Sequence, residues 1–237
     1  MKSGKTIILL YLVIMGSILL FTLLGSEAVT VLSEKVQLNR RSCIIIDAGH
    51  GGIDGGATSC TGVLESELNL QIAHRLNDLL HLMGYDTKMM RYDDVSIYTE
   101  GETIAKKKIS DLKERVRICN ETERGLLLSI HQNTFQDEQY WGAQVFYAKD
   151  KHSEAFAKAL QNEITQSINP GSKRLAKQAK GIYLMEHINC PGILIECGFL
   201  SNIAEEAKLR SEEYQKKLCC VIAFTASRFI LDWQTND

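Results

Sequence analysis

Short apolar runs alternating with helical periods predict an α/β fold, a single domain with a mainly parallel central sheet and helices on both faces. Three observations carry this. Short apolar runs at residues 43–46, 126–130 (broken only by Ser129) and 193–195 read as strands buried on both sides, the habit of parallel sheets. Apolar residues recur at three- and four-residue spacing between those runs. Each run passes at once into polar residue types, and in parallel sheets ligands bind beyond the carboxyl ends of the strands.

In chain order, the first run leads into Asp47-Ala48-Gly49-His50. Leu68, Ile72, Leu76, Leu79, Leu80 and Met83 then repeat at helical spacing, and Gly84 stops them. Residues 86–90 are a second strand candidate. Val116 and Ile118 fall in a shorter helix beginning near Ser110, before the run that ends at His131. Residues 143–148 are a further strand candidate. Phe156, Ala159, Leu160, Ile164 and Ile168 mark a third helix, and the last run leads into Glu196. Tyr214, Leu218, Val221, Ile222, Thr225 and Phe229 mark a final helix.

The 237 residues carry 27 Lys and Arg against 29 Asp and Glu, a formal charge of −2, which argues against a nucleic-acid binder needing a basic surface. Residues 1–28 stand apart. Lys2 and Lys5 precede an almost unbroken apolar run over 7–24, followed by Ser26 and Ala28 at small-x-small spacing. This segment reads as a cleaved signal peptide or an uncleaved membrane anchor, and either assigns the rest to an extracytoplasmic compartment. Residues 29–41 make a short linker, and 42–237 form the functional domain. Seven cysteines without CxxC spacing read as mostly buried thiols, Cys43, Cys119 and Cys220 lying within apolar runs.

Four polar anchors stand out. His50 sits among six glycines and alanines in Asp47-Ala48-Gly49-His50-Gly51-Gly52-Ile53-Asp54-Gly55-Gly56, which lets the backbone turn sharply and leaves the imidazole open. The run lacks both GxGxxG order and a Gly-Lys-Ser/Thr ending, so it does not read as a nucleotide loop. Glu65 lies at the start of a helix, where a carboxylate can also simply offset the helix dipole, although Glu67 suits that role better. His131 and Glu196 lie at strand ends. Two histidines and one glutamate can hold zinc and leave a fourth tetrahedral position to water, the arrangement of hydrolytic zinc. The spacings from His50 to Glu65 and from Glu65 to His131 are long and no HExxH motif is present, so spacing leaves metal ligation and ordinary hydrogen bonding both open.

The block around His50 resembles a signature block of the zinc-dependent N-acetylmuramoyl-L-alanine amidases of the Amidase_3 family. So do Leu64-Glu65-Ser66-Glu67-Leu68-Asn69-Leu70, Ser129-Ile130-His131-Gln132-Asn133 and Ile195-Glu196-Cys197-Gly198-Phe199-Leu200-Ser201-Asn202. Within the family, a single domain behind an N-terminal hydrophobic segment is most similar to the CwlD-type sporulation amidases. The resemblance implies that His50, Glu65 and His131 ligate Zn2+ and that Glu196 is the catalytic carboxylate. It implies cleavage of the amide between N-acetylmuramic acid and L-alanine of the peptidoglycan stem peptide, in spore cortex, as a step toward muramic-δ-lactam needed for germination. It also implies a partner lipoprotein, as for some clostridial members, and contact with the membrane if the leader is uncleaved. Gln132, Gly192 and Cys197 depart from the residues common at their positions. Two rival readings are a zinc carboxypeptidase acting on stem peptides and a catalytically silent wall-binding or regulatory module.

Four further readings complete the sequence picture. Asp47 is expected to orient a ligating imidazole or to bind loop amides. Arg115 and Arg117 are expected on an ion-paired or solvated face, and Lys106, Lys107 and Lys108 in a solvated loop. His74, His81, His152 and His187 are expected to take no part in chemistry.

Overall fold

The structure is a computed structural model that describes residues 42–236; the leader at 1–28 and the linker at 29–41 lie outside the described residues. No described helix is long and apolar enough to cross a membrane. Six strands form one sheet: β1 (Cys43–Ala48), β2 (Asp86–Met89), β3 (Gly125–Asn133), β4 (Gln144–Tyr147), β5 (Lys177–Gln178) and β6 (Gly192–Phe199). Among the described residues six helices surround it: α1 (Glu65–Leu82), α2 (Ile104–Glu121), α3 (Lys151–Ser167), α4 (Tyr183–His187), α5 (Ile203–Leu209) and α6 (Glu212–Asn236). The order across the sheet is β2-β1-β3-β6-β4-β5. All neighbours run parallel except β4 against β6, so the sheet is mixed with a parallel centre.

Alternation along the strands assigns the two faces. Ile44, Ile46, Leu126, Leu128, Ile130, Ile193 and Ile195 point to the face covered by α1, α3 and α6. There they meet Leu68, Ile72, Leu76 and Leu80 of α1, Phe156 and Leu160 of α3, and Leu218 and Ile222 of α6. All of these are buried, each stabilising the fold by about 1.5–3 kcal/mol through loss of apolar surface from water. Ile45, Leu127 and Leu194 point the other way, onto Cys119 of α2 and Leu184 and Met185 of α4.

Several expectations shift. Helix α2 begins at Ile104, earlier than the expected start near Ser110, because the Thr103 side chain caps it by accepting from the Lys106 amide at 3.3 Å. Its first turns are largely exposed and show no apolar stripe, so periodicity could not reveal them. The lysines at 106–108 are therefore helical. Elements β5, α4 and α5 are too short for a period to register. All seven cysteines are free; Cys119, Cys197 and Cys219 are buried, whereas Cys220, expected inside an apolar run, is exposed on α6.

Candidate functional site

The second face changes character toward the carboxyl ends of the central strands. Asp47 of β1 pairs in register with Ser129 of β3, and His131 of β3 pairs with Glu196 of β6. Side-chain alternation puts all four on the face of α2, next to Leu127 and Leu194. Glu65, the first residue of α1, reaches this cluster from the helix N-terminus, and His50 from the loop after β1.

Glu65 lies between the two imidazoles. Its Oε2 is 3.2 Å from His50 Nε2 and its Oε1 is 2.9 Å from His131 Nδ1. The carboxylate also accepts from the Ala57 amide at 2.9 Å, the Gln132 amide at 3.1 Å and Asn69 Nδ2 at 3.3 Å. Burial alone would raise the Glu65 pKa, but hydrogen bonds and charge from His131 and His50 outweigh it and hold the group well below the usual carboxylate range. Burial likewise opposes protonation of His50, yet Glu65 and then Asp54 raise it to about 9.

His50 holds a left-handed backbone, φ 62°, uncommon for a residue with a side chain. The surroundings enforce it. The buried guanidinium of Arg91 donates to the carbonyls of Ala48 at 2.8 Å and Gly49 at 3.1 Å, and to Ser66 at 2.8 Å. That of Arg115 donates to Ala48 at 3.1 Å and His50 at 2.8 Å. Three consecutive loop carbonyls are thus tied to two buried cations. Arg115 in turn pairs with Asp47, and with Asp111 at 2.6 Å. Burial disfavours its charged form, and the two carboxylates more than restore it. Asp47 neither orients an imidazole nor binds loop amides. It pairs with Arg115 and accepts from Ser129 Oγ at 2.7 Å. Burial raises its pKa, Arg115 first and then His131 and Ser129 lower it, and the balance lies below the ordinary value.

On the outer side of His50, Asp54 Oδ2 lies 3.0 Å from Nδ1, and Asp54 Oδ1 lies 2.7 Å from Lys108 Nζ. Lys108 therefore reaches the site instead of lying in a solvated loop. Arg117 is exposed and paired with Glu114 and Glu121, as expected for an ion-paired face. His74 and His81 contact Tyr92 O and Thr87 Oγ1, His152 lies beside Trp233, and His187 contacts Tyr183 O, so none joins the cluster.

One ligand atom from each of His50, Glu65 and His131 can be chosen so that all lie within 4.8 Å of one another. The edge of a tetrahedron of zinc bonds is roughly 3.3–3.6 Å, so the three donors are near enough to close on one such ion. The glycines make room for it. A Cβ on Gly56, which has φ +69°, would lie 2.6 Å from Glu65 Oε2 and 2.8 Å from the His50 ring, and one on Gly49 would lie 2.2 Å from His131 Nε2. Glu196 stands beside His131, and its Oε2 is buried without a hydrogen-bond partner. Burial raises its pKa to about 7, with His131 lowering it and Glu65 adding to the rise. The cavity at this end of the sheet measures about 320 Å³ and is lined by His50, His131, Glu196, Lys108, Leu112 and Leu184 among others.

Sequence reasoning singled out the four anchors but not Asp54, Arg91, Asn69 or Lys108. Asp54 follows His50 by one helical-turn spacing and Asn69 follows Glu65 by the same interval on α1, which were local signals. Arg91 and Lys108 carry none, because their partners lie far along the chain.

Comparison with known proteins adds a lineage to this geometry. The Amidase_3 family, described as N-acetylmuramoyl-L-alanine amidase, matches residues 44–224. A germination-specific N-acetylmuramoyl-L-alanine amidase of Bacillus subtilis is 39% identical over 181 residues, 76% of each chain. The CwlD amidase of Clostridioides difficile, solved in complex with the GerS lipoprotein, is similar with a TM-score of 0.77 and 37% identity, covering 81% of this chain and 99% of that one. An N-acetylmuramoyl-L-alanine amidase from Clostridium difficile 630 is similar with a TM-score of 0.71 and 30% identity, covering 82% and 98%.

Proposed function

Because this chain belongs to the Amidase_3 family of N-acetylmuramoyl-L-alanine amidases, we propose that it cleaves the amide between N-acetylmuramic acid and the stem peptide with Zn2+ held by His50, Glu65 and His131. The observation that carries this reading is Glu196, a buried carboxylate with an unpartnered oxygen, in register with His131 and on the same sheet face. Bound zinc supplies a Lewis acid that lowers the pKa of a water and polarises the scissile carbonyl. Glu196 takes the proton of the attacking water and returns it to the departing amine of L-alanine. Its low solvation keeps the carboxylate basic near neutral pH, the condition a proton acceptor needs. Asp54 holds the His50 ring by Nδ1 and frees Nε2 for the ion, while Arg91 and Arg115 hold the loop that presents it.

The germination-specific relative and the likeness to the CwlD amidase support a place in the spore cortex, where the product is a precursor of muramic-δ-lactam. The same likeness supports dependence on a lipoprotein partner, and residues 1–28 support export with cleavage or anchoring of that segment. Chelation is expected to abolish release of whole stem peptides from purified peptidoglycan, read by mass spectrometry, and added zinc to restore it. Undiminished release by metal-free protein removes zinc from the reaction.

A further inference from the structure

The row that carries the chemistry does not end at Glu196. Gln144 of β4 pairs with Glu196 from the side opposite His131, and the three residues stand in line on one face of the sheet. Neighbouring strands lie about 4.8 Å apart, so Gln144 is roughly 10 Å from His131 across the row. An extended peptide covers that distance in about three residues. Beyond Gln144 opens a second cavity, about 630 Å³, lined by Tyr140, Trp141, Gln144, Lys173, Arg174 and Lys177 among others.

The two cavities differ in charge. The one at the metal ligands is lined by four carboxylates, Asp47, Asp54, Asp111 and Glu196, against the two cations Lys108 and Arg115. The one beyond Gln144 has three cationic side chains and no carboxylate among its described lining, in a chain whose formal charge is −2. Its walls are fixed. Arg174 donates to Trp141 O at 2.8 Å and to Gln144 Oε1 at 3.0 Å, and its guanidinium lies 4.6 Å from the Phe199 ring centroid. Gln144 is buried and also donates to Leu175 O at 2.9 Å. Lys173 and Lys177 are exposed beside this frame, Lys177 facing the same side as Phe146 in register.

We propose that this cavity is the subsite for the departing stem peptide, and that Lys173, Arg174 and Lys177 bind the free carboxylates of its second and later residues. The proposal rests on the amidase reading above and extends it to the part of the substrate that distinguishes a peptide from a glycan. A glycan strand whose lactyl groups are held as amides is neutral and gains nothing from three cations, whereas a peptide rich in carboxylates gains charge-assisted hydrogen bonds from each.

The test is calorimetric titration of the zinc-loaded full chain with the free tripeptide L-alanyl-γ-D-glutamyl-L-lysine and with its fully amidated analogue. The acidic tripeptide is expected to bind at least about tenfold more tightly than the amidated one, and Lys173→Glu/Lys177→Glu is expected to erase that difference. Both lysines are exposed, and circular dichroism checks that the variant folds. Equal binding of the two peptides, unchanged binding by the variant, or displacement of the tripeptide by a neutral oligosaccharide of N-acetylglucosamine overturns the subsite. Peptide binding by a wild-type chain that cleaves no muramoyl amide counts against the reaction and leaves the subsite standing. Cleavage with a KM that ignores both peptide charge and the double substitution counts against the subsite alone.

Discussion

The two faces of the central sheet are built from the same six strands and serve opposite ends. On the face of α1, α3 and α6 the central strands are apolar and fully buried, from Ile44 and Ile46 through Leu128 to Ile195. On the face of α2 and α4 the same strands begin apolar, at Ile45, Leu127 and Leu194, and turn polar at Asp47, Ser129, His131 and Glu196. One face contributes stability through apolar burial, its polar groups confined to its ends, as at Thr87 and Gln132. The other holds buried charges that cost desolvation, which Arg115 and Arg91 offset at the loop, whereas at Glu196 the histidines offset it only in part and Oε2 has no hydrogen bond. Substitutions on the first face are therefore expected to change stability without chemistry, and those at the polar end of the second to change chemistry first.

The sharpest test of that division is Glu196→Gln. Turnover on muropeptides is expected to fall by about 10² to 10⁴, with zinc content unchanged and the melting temperature not lowered; a near wild-type rate removes Glu196 from the mechanism. On the opposite face, Phe156→Ala is expected to cost about 3–5 kcal/mol in urea unfolding, because Phe156 is fully buried and stacked on Phe229 at 4.7 Å. Its kcat/KM per folded molecule should not change.

Asp47→Asn tests a residue that belongs to both categories and should cost about 3 kcal/mol by leaving Arg115 without its buried partner. The folded-state pKa of Asp47 is depressed, so its contribution is present above its ordinary value of 3.8 and lost as pH falls below it. The gap between wild type and Asp47→Asn in unfolding midpoint should therefore narrow in acid; a gap that widens reverses the assigned sign. Gly56→Ala is expected to have the smallest effect on stability, about 1–2 kcal/mol from the positive φ, but to weaken zinc retention because the new methyl meets Glu65 and His50. Equilibrium dialysis reads that loss, and unaltered retention separates Gly56 from the metal cradle.

How much of this was legible in the chain follows from the range of each interaction. Strands β1, β3 and β6 announce themselves because two-sided burial demands apolar runs, and α1 because Gly84 ends a clear stripe. Helix α2 was legible only from its middle, since its exposed first turns owe their structure to the Thr103 cap. The antiparallel course of β4 was not legible, because the residues of a strand do not record the direction of its neighbour. At the site, His50, Glu65, His131 and Glu196 were visible as residues in a familiar order. The buried role of Arg115 was hidden behind its helical neighbours, and the reach of Lys108 to Asp54 depends on where α2 starts.

The sequence by itself determined the layers, the central strands and the residue types at their carboxyl ends, because burial and turn chemistry are local consequences of side-chain type. Only the tertiary structure decided that His131, Glu196 and Gln144 stand in one row, that Glu65 bridges two imidazoles, and that two arginines, one after β2 and one on α2, grip the same loop. Register between strands is fixed by packing of the whole sheet, and a shift by one residue would have turned each of these groups to the other face.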